Sequence, residues 1–171
     1  GNITSNNGAG SCLTTGDIDR AGPYLAANRG RSIALALPEV PLEARFQLLR
    51  LATKHRALRV ASFTSAEIPL ARTRGMFSLI DLLAINEDEA AALVGRRIDP
   101  LRPQPFLDEC AGLLTAQQKA MRIVLSVGKE GAYGYDGVAW DHCPAPSVPV
   151  SSTAGAGDAL LGSIIACLAA G

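Results

Sequence analysis

The chain has 171 residues, of which 48% are hydrophobic and 19% charged, and its 16 basic and 16 acidic side chains cancel. That much apolar material sustains one core, and it argues against a collagen-like chain, a disulfide scaffold or a disordered one. The balanced charge gives no general attraction to nucleic acid or to an anionic membrane. The longest apolar stretches are too short to cross a bilayer.

Residues 1 to 16 are rich in Gly, Asn, Ser and Thr and read as loop, with room for a short strand. Thr15-Gly16-Asp17 starts a helix with Ile18, Ala21, Leu25 and Ala26 on one side, which Pro23 keeps short or kinked. Ser32 to Leu37 is a continuous apolar run stopped by Pro38, the pattern of a strand buried on both faces. Pro41 opens a helix from about Leu42 to His55, with Ala44, Leu48, Leu51 and Ala52 at helical spacing. Its arginines read as a solvated face, and His55 as a surface residue near the helix C-terminus.

The alternation then repeats. Leu58 to Phe63 reads as a strand, Ala66 to Phe77 as a helix with Pro69 near its start, and Asp81 to Ile85 as a third strand. Glu87 to Val94 reads as a helix ended by Gly95 in a left-handed cap. A Pro-rich loop leads to a helix from about Phe106 to Ala120, and Arg122 to Val127 is a fourth strand. Gly128 to Trp140 alternates glycines with β-type residues, and Asp136-Gly137 marks a hairpin turn in which Tyr133, Tyr135 and Trp140 pack. Gly155 to Ala170 is a final helix. Strands alternating with helices predict an α/β fold, with right-handed crossovers, a parallel sheet and helices on its faces. No linker divides the chain, so residues 1–171 read as one domain.

Cys12, Cys110, Cys143 and Cys167 form no C-x-x-C pair, and neither His55 nor His142 completes a ligand set. Cys110 and Cys167 lie in apolar helical runs and read as core thiols. Isolated cysteines fit a reducing compartment, and no secretory signal is visible at the start.

Ligands of open α/β sheets bind beyond the carboxyl ends of the strands, and three short motifs fall there. Gly155-Ala156-Gly157-Asp158 opens the last helix. Small residues let a ligand approach the backbone, and free N–H groups at the positive helix end favour an anion. An Asp there repels a bound phosphate, but it can take the proton of a hydroxyl that attacks a phosphoryl group. The plain alternative is a helix start with an acidic first turn. Asn86-Glu87-Asp88-Glu89 follows the third strand. It reads either as a capping box or as Glu89 holding Mg²⁺ through waters, with Asn86 near phosphate. Ser126-Val127-Gly128-Lys129-Glu130-Gly131 follows the fourth strand and reads either as a nucleotide-covering loop or as a glycine turn before a hairpin. A Walker loop and a G-x-S-x-G elbow are absent, and the G-x-G at Gly155 does not extend to the dinucleotide fingerprint.

Asn86-x-x-Glu89, Ser126-x-Gly128-x-x-Gly131 and Gly155-Ala156-Gly157-Asp158 stand in the order and rough spacing of the ribokinase-like (PfkB) carbohydrate kinase family, which the chain resembles over nearly its whole length. The Pro-rich run from Pro144 to Val150 and the segment from Leu35 to Leu42 are also similar to that family. The resemblance implies a three-layer α/β/α fold with a mainly parallel sheet. It also implies MgATP-dependent phosphorylation of a hydroxyl on a sugar or nucleoside by a cytoplasmic enzyme, with a homodimer as the assembly open to it. Asp158 would be the base, and Gly155, Ala156 and Gly157 the anion hole. Ser126, Gly128, Gly131 and Asn86 would serve ATP, and Glu89 the Mg²⁺.

The residues before Gly155 are Ser152-Thr153-Ala154 where the family usually reads Asp-Thr-Thr, and Ser62 stands near a usual Asn or Asp. Family members are about twice as long, so the chain reads as the central and catalytic portion of the domain, with its ends as cuts and with the N-terminal lid and acceptor region and the C-terminal end missing. The alternatives are a non-catalytic nucleotide- or metabolite-binding module and an inactive fragment of the same fold.

Overall fold

The computed structural model describes residues 8–149 and 152–170. Of the expected N-terminal loop, residues 1–7 lie outside that range, as do Val150, Ser151 and Gly171. From Gly8 onward the segment holds a 3-10 turn, Ala9–Cys12, and no strand.

Six strands form one sheet in sequential order: β1 (Ile33–Ala36), β2 (Leu58–Ala61), β3 (Leu82–Asn86), β4 (Arg122–Ser126), β5 (Ala132–Tyr135) and β6 (Trp140–Cys143). The pairs β1–β2, β2–β3 and β3–β4 are parallel, while β4–β5 and β5–β6 are antiparallel. The expected parallel sheet therefore carries an antiparallel hairpin at one edge. Asp136 Oδ1 builds that turn by accepting the N–H groups of Val138 and Ala139, at 2.8 and 2.9 Å. Tyr135 stacks on Trp140, and the indole N–H donates to the Leu107 carbonyl at 3.1 Å. The hairpin is thus tied to the helix that carries Leu107.

The first helical stretch is split by Arg20 and Ala21 into α1 (Thr15–Asp19) and α2 (Gly22–Ala27), with Pro23 in the first turn of α2. This is the break that proline predicted. The helices α3 (Leu42–Lys54), α4 (Ile68–Thr73), α5 (Glu87–Val94) and α6 (Gln104–Thr115) lie on one face of the sheet. Together they bury Leu49, Ile68, Ala90, Phe106 and Leu107 against Ala61, Leu83, Ile85, Ile123 and Leu125. On the other face, α7 (Ala156–Ala170) sets Leu161 against Val60 and Leu82. The result is three layers, α/β/α.

Several expectations need correction. β1 is not buried on both faces. Ala34 and Ala36 are buried, but Leu35, on the opposite pleat of this edge strand, is 39% exposed. The Ala66–Phe77 helix is two pieces, because Gly75 takes a left-handed φ of 68° and the chain continues as a 3-10 turn, Met76–Leu79. The helix expected to reach Ala120 ends at Thr115, where the N–H groups of Gln117 and Gln118 both turn back to the Leu114 carbonyl. α3 is not solvated along all its arginines, since Arg45 is buried. His55 is half-buried, with Nδ1 enclosed and without a partner. Cys110 is a core thiol, whereas Cys167 is exposed and not the core thiol expected. By contrast, Glu87–Val94 and its Gly95 cap, with φ 86°, form as the sequence predicts.

Candidate active site

A cleft of about 1130 Å³ opens beyond the carboxyl ends of β1 to β4, with the N-terminus of α7 as its far wall. The parallel strands deliver Leu37, Pro38 and Glu39 after β1, and Ser62 and Thr64 after β2. Asn86 and Glu89 come from the junction of β3 and α5, and Ser126 from the end of β4. Helix α7 adds Gly155, Gly157 and Asp158. Six of the nine residues expected from the sequence therefore line one cleft: Asp158, Gly155, Gly157, Asn86, Glu89 and Ser126. Ala156, Gly128 and Gly131 do not line it.

The turn into α7 is built locally. The Ser152 hydroxyl accepts the Ala154 N–H at 3.2 Å, Gly155 takes φ 77°, and the Ala156 N–H donates to the Thr153 carbonyl at 3.2 Å. The Ala156 N–H is thereby committed to the turn rather than offered to an anion. The N–H groups of Gly157 and Asp158 have no acceptor among the described residues. They stand at the positive end of a 15-residue helix, where an anion is favoured. The Asp158 carboxylate is exposed on the cleft wall and has no hydrogen-bond or ion-pair partner among the described residues.

Across the cleft, Asn86 and Glu89 form a complete capping box. Asn86 Oδ1 accepts the Glu89 N–H at 2.9 Å, and Glu89 Oε2 accepts the Asn86 N–H at 2.8 Å. Asn86 Nδ2 also donates to Glu89 Oε1 at 3.0 Å, so both carboxylate oxygens are engaged. Burial pushes the Glu89 carboxyl above the ordinary range, against the bonds from Asn86 and with help from the charges of Asp88 and Glu67. Among the described residues, no three His, Cys, Asp or Glu side chains cluster to hold a metal. Mg²⁺ does not need such a cage. It keeps several waters and binds through one or two carboxylates plus substrate phosphates. Glu89, which lines the cleft, is a carboxylate of the kind that mode uses.

Gly131 has a structural duty of its own. At φ 101° it lies against the strand crossing behind it, and an added Cβ would stand 2.1 Å from the Cys143 carbonyl oxygen. Gly128, at φ 58°, has open space around it. The glycine turn before a hairpin therefore accounts for Gly131.

Sequence reasoning did not single out Glu39 and Thr64. Both follow a strand directly, at the carboxyl end where ligands of such sheets bind, and that position was the available signal. Arg45, discussed below, carried no signal, because a single arginine on a helix rich in them reads as surface.

An open, mainly parallel sheet with helices on both faces and a cleft beyond the carboxyl ends of its strands defines the class of α/β domain. Comparison with known proteins resolves the class. The pfkB family carbohydrate kinase model matches residues 2–171. The chain belongs to that family. It is 32% identical over 133 residues to ATP-dependent 6-phosphofructokinase isozyme 2 of Escherichia coli (strain K12), covering 77% of this chain and 41% of that protein. The structure of Escherichia coli phosphofructokinase-2 in complex with substrates and products matches with a TM-score of 0.67 and 26% identity. That match covers 92% of this chain and 50% of the other. Ribokinase from Thermotoga maritima shares the fold, with a TM-score of 0.73 at 21% identity, covering 97% of this chain and 51% of the other. The chain thus spans about half the length of the relatives it matches.

Proposed function

We propose that this chain carries the phosphoryl-transfer centre of an ATP-dependent kinase that acts on a hydroxyl of a sugar or nucleoside. The observation that carries the reading is the Asp158 carboxylate, unpartnered on the cleft wall beside the free N–H groups of Gly157 and Asp158. The family membership and the likeness to 6-phosphofructokinase isozyme 2 support it.

In this reading Asp158 takes the proton of the acceptor hydroxyl as its oxygen bonds to the γ-phosphorus. The bond between the γ-phosphorus and the bridging oxygen breaks, and ADP leaves with that electron pair. The N–H groups of Gly157 and Asp158 are aimed where negative charge gathers on the transferring group. Glu89 would hold Mg²⁺, and Asn86 keeps the Glu89 carboxylate oriented toward the cleft. Bound Mg²⁺ neutralises charge on the phosphate oxygens. Ser126 donates its hydroxyl to the nucleotide from the β4 side. Gly128 leaves room for the nucleotide to pass, Gly131 shapes the loop behind it, and Ala156 and Gly155 set the turn that aims the helix.

A second reading, nucleotide binding without turnover, is favoured by one observation: both Glu89 oxygens are already engaged by Asn86. The test is ATP turnover with a panel of sugars and nucleosides, with and without Asp158→Asn. The Asp158 charge at the positive helix end is worth only about 0.3–1 kcal/mol, so D158N should melt within a few degrees of the wild type while turnover falls by about 10²-fold or more. MgATP binding without any transfer would establish the second reading. Full turnover by D158N would refute the first.

A further inference from the structure

Among the described residues, Arg45 is the one fully buried charged side chain. It sits on α3, beneath the loop that leaves β2. Its Nη1 donates to the Ser62 carbonyl at 3.2 Å, and its Nη2 pairs with Glu67 Oε1. The guanidinium lies over the Phe63 ring, 5.4 Å from the centroid. The other Glu67 oxygen accepts the Thr64 N–H at 2.9 Å. One cation therefore holds the loop at Ser62, Phe63 and Thr64, the last through Glu67. Ser62 and Thr64 are cleft residues.

The arrangement is not explained by stability alone. A buried ion pair is weak evidence for stability, because desolvation offsets its attraction and an apolar pair of similar size often serves as well. Here Arg45 also buries Nε with no partner, an added cost. What the pair does supply is position. Three contacts at different heights fix the loop against rotation, and shape-persistent walls matter where a reacting group must be placed within a fraction of an ångström.

The sheet order says which side is held. Ser126 leaves β4, while Ser62 and Thr64 leave β2, on the other side of β3. We propose that Arg45 is a positioning residue for the acceptor side of the cleft, fixing the wall that carries Ser62 and Thr64 through the Ser62 carbonyl and Glu67. The acceptor assignment rests on the kinase reading above; the clamp itself does not.

The test compares wild type with R45M, R45K and the double variant R45M/E67Q in the full chain. Kinetics are read as separate KM values for acceptor and MgATP, and amide hydrogen exchange is read across residues 62–67 and 122–131. We expect R45M to raise the acceptor KM by roughly tenfold and to speed exchange at 62–67 but not at 122–131; because R45M uncovers the Glu67 charge, which acts on Glu89, the MgATP KM is read in R45M/E67Q, where it should stay within about twofold. R45K keeps the charge but replaces the planar two-nitrogen fork with one ammonium, so its acceptor KM should lie between those of wild type and R45M. R45M/E67Q removes both charges and leaves no unpaired one. It should melt closer to the wild type than R45M does while keeping the raised acceptor KM, which covers the case in which R45M folds poorly. Equal rises in both KM values, or unchanged exchange at 62–67 in the double variant, would overturn the proposal. If the wild type transfers no phosphate to any acceptor, the kinase reading fails, and exchange at 62–67 still decides whether Arg45 holds the wall.

Discussion

Replacing Gly131 by alanine tests whether that glycine serves the fold or a nucleotide. The backbone there has φ 101° and ψ −134°, a region essentially reserved for glycine. A side chain held there costs about 1–3 kcal/mol. Sterics add to this. The new Cβ would stand 2.1 Å from the Cys143 oxygen, 2.7 Å from the Ala145 nitrogen and 2.9 Å from the Pro144 carbonyl carbon. All three are backbone atoms, so no flexible side chain can yield, and forced backbone shifts cost another 1–3 kcal/mol or so. The sum is about 2–6 kcal/mol against a total stability of about 5–15 kcal/mol. In a domain of this size that lowers Tm by roughly 4 °C at the small end and well beyond 10 °C at the large end. Urea and thermal unfolding measure it, with two internal controls. G128A meets open space at φ 58° and should lose only about 1–2 kcal/mol. G134A has neither a positive φ nor a neighbour within 4 Å and should stay within about 0.5 kcal/mol of wild type. A G131A variant as stable as G128A, yet unable to bind nucleotide, would refute the reasoning and return Gly131 to the binding site.

Three further outcomes follow from the packing and the charges. Phe77 is fully buried and meets Phe63 edge-on at 5.5 Å, so F77A should cost about 3–5 kcal/mol by urea unfolding; a loss below about 1 kcal/mol would mean that this core is not as packed. Thiol titration of the folded protein should modify Cys12, Cys143 and Cys167 readily and Cys110 only after unfolding, because burial pushes the Cys110 thiol up to about 12; four fast thiols would contradict the fold. The N–H groups of Ala139 and Val138 hold the Asp136 carboxyl below its ordinary value of 3.8, so the folded state binds fewer protons there than the unfolded chain. That stabilisation is present above the ordinary value and is lost as pH falls through the lowered one. D136N keeps an acceptor oxygen but does not titrate, so the stability gap between wild type and variant should shrink as pH drops below 3.8; a gap independent of pH would be the contrary result.

Much of the architecture was legible because short-range rules governed it. Glu87–Val94 forms as expected because Asn86, Glu89 and Gly95 settle both helix ends within ten residues of sequence. The places where the reading fails depend on distant partners. Leu35 looks like its buried neighbours, and only the edge position of β1 leaves it exposed. Arg45 looks like Arg50, the other α3 arginine, until Glu67, 22 residues away, arrives beside it. Ala66 to Phe77 has the apolar content of one helix, but Gly75 in the left-handed region divides it. The candidate site was legible where motif and loop coincide, at Asn86, Glu89 and Gly155 to Asp158. It was less legible after β1 and β2, where Glu39 lies in a family-like segment without being singled out, Thr64 carries no motif, and the shared carboxyl end of the sheet unites them.

The sequential strand order has a consequence for how the domain is assembled. Each strand pairs with its neighbour in sequence. Ile33 meets Leu58, Val60 meets Leu82, Leu82 meets Arg122 and Ile123 meets Tyr135. No pairing must wait for a distant part of the sheet, so every loop closed is short or moderate and its entropic cost grows only slowly with length. The three parallel pairs join residues 22 to 40 positions apart, so they close more slowly than the hairpin of β5 and β6, but none needs a strand from elsewhere in the sheet order. Helix α7 breaks this order, returning from the hairpin edge to lay Leu161 on Val60 and Leu82 at the centre of the sheet. That long-range contact is also the one that brings Asp158 to the cleft. The scaffold can therefore form before the residue proposed as its base arrives.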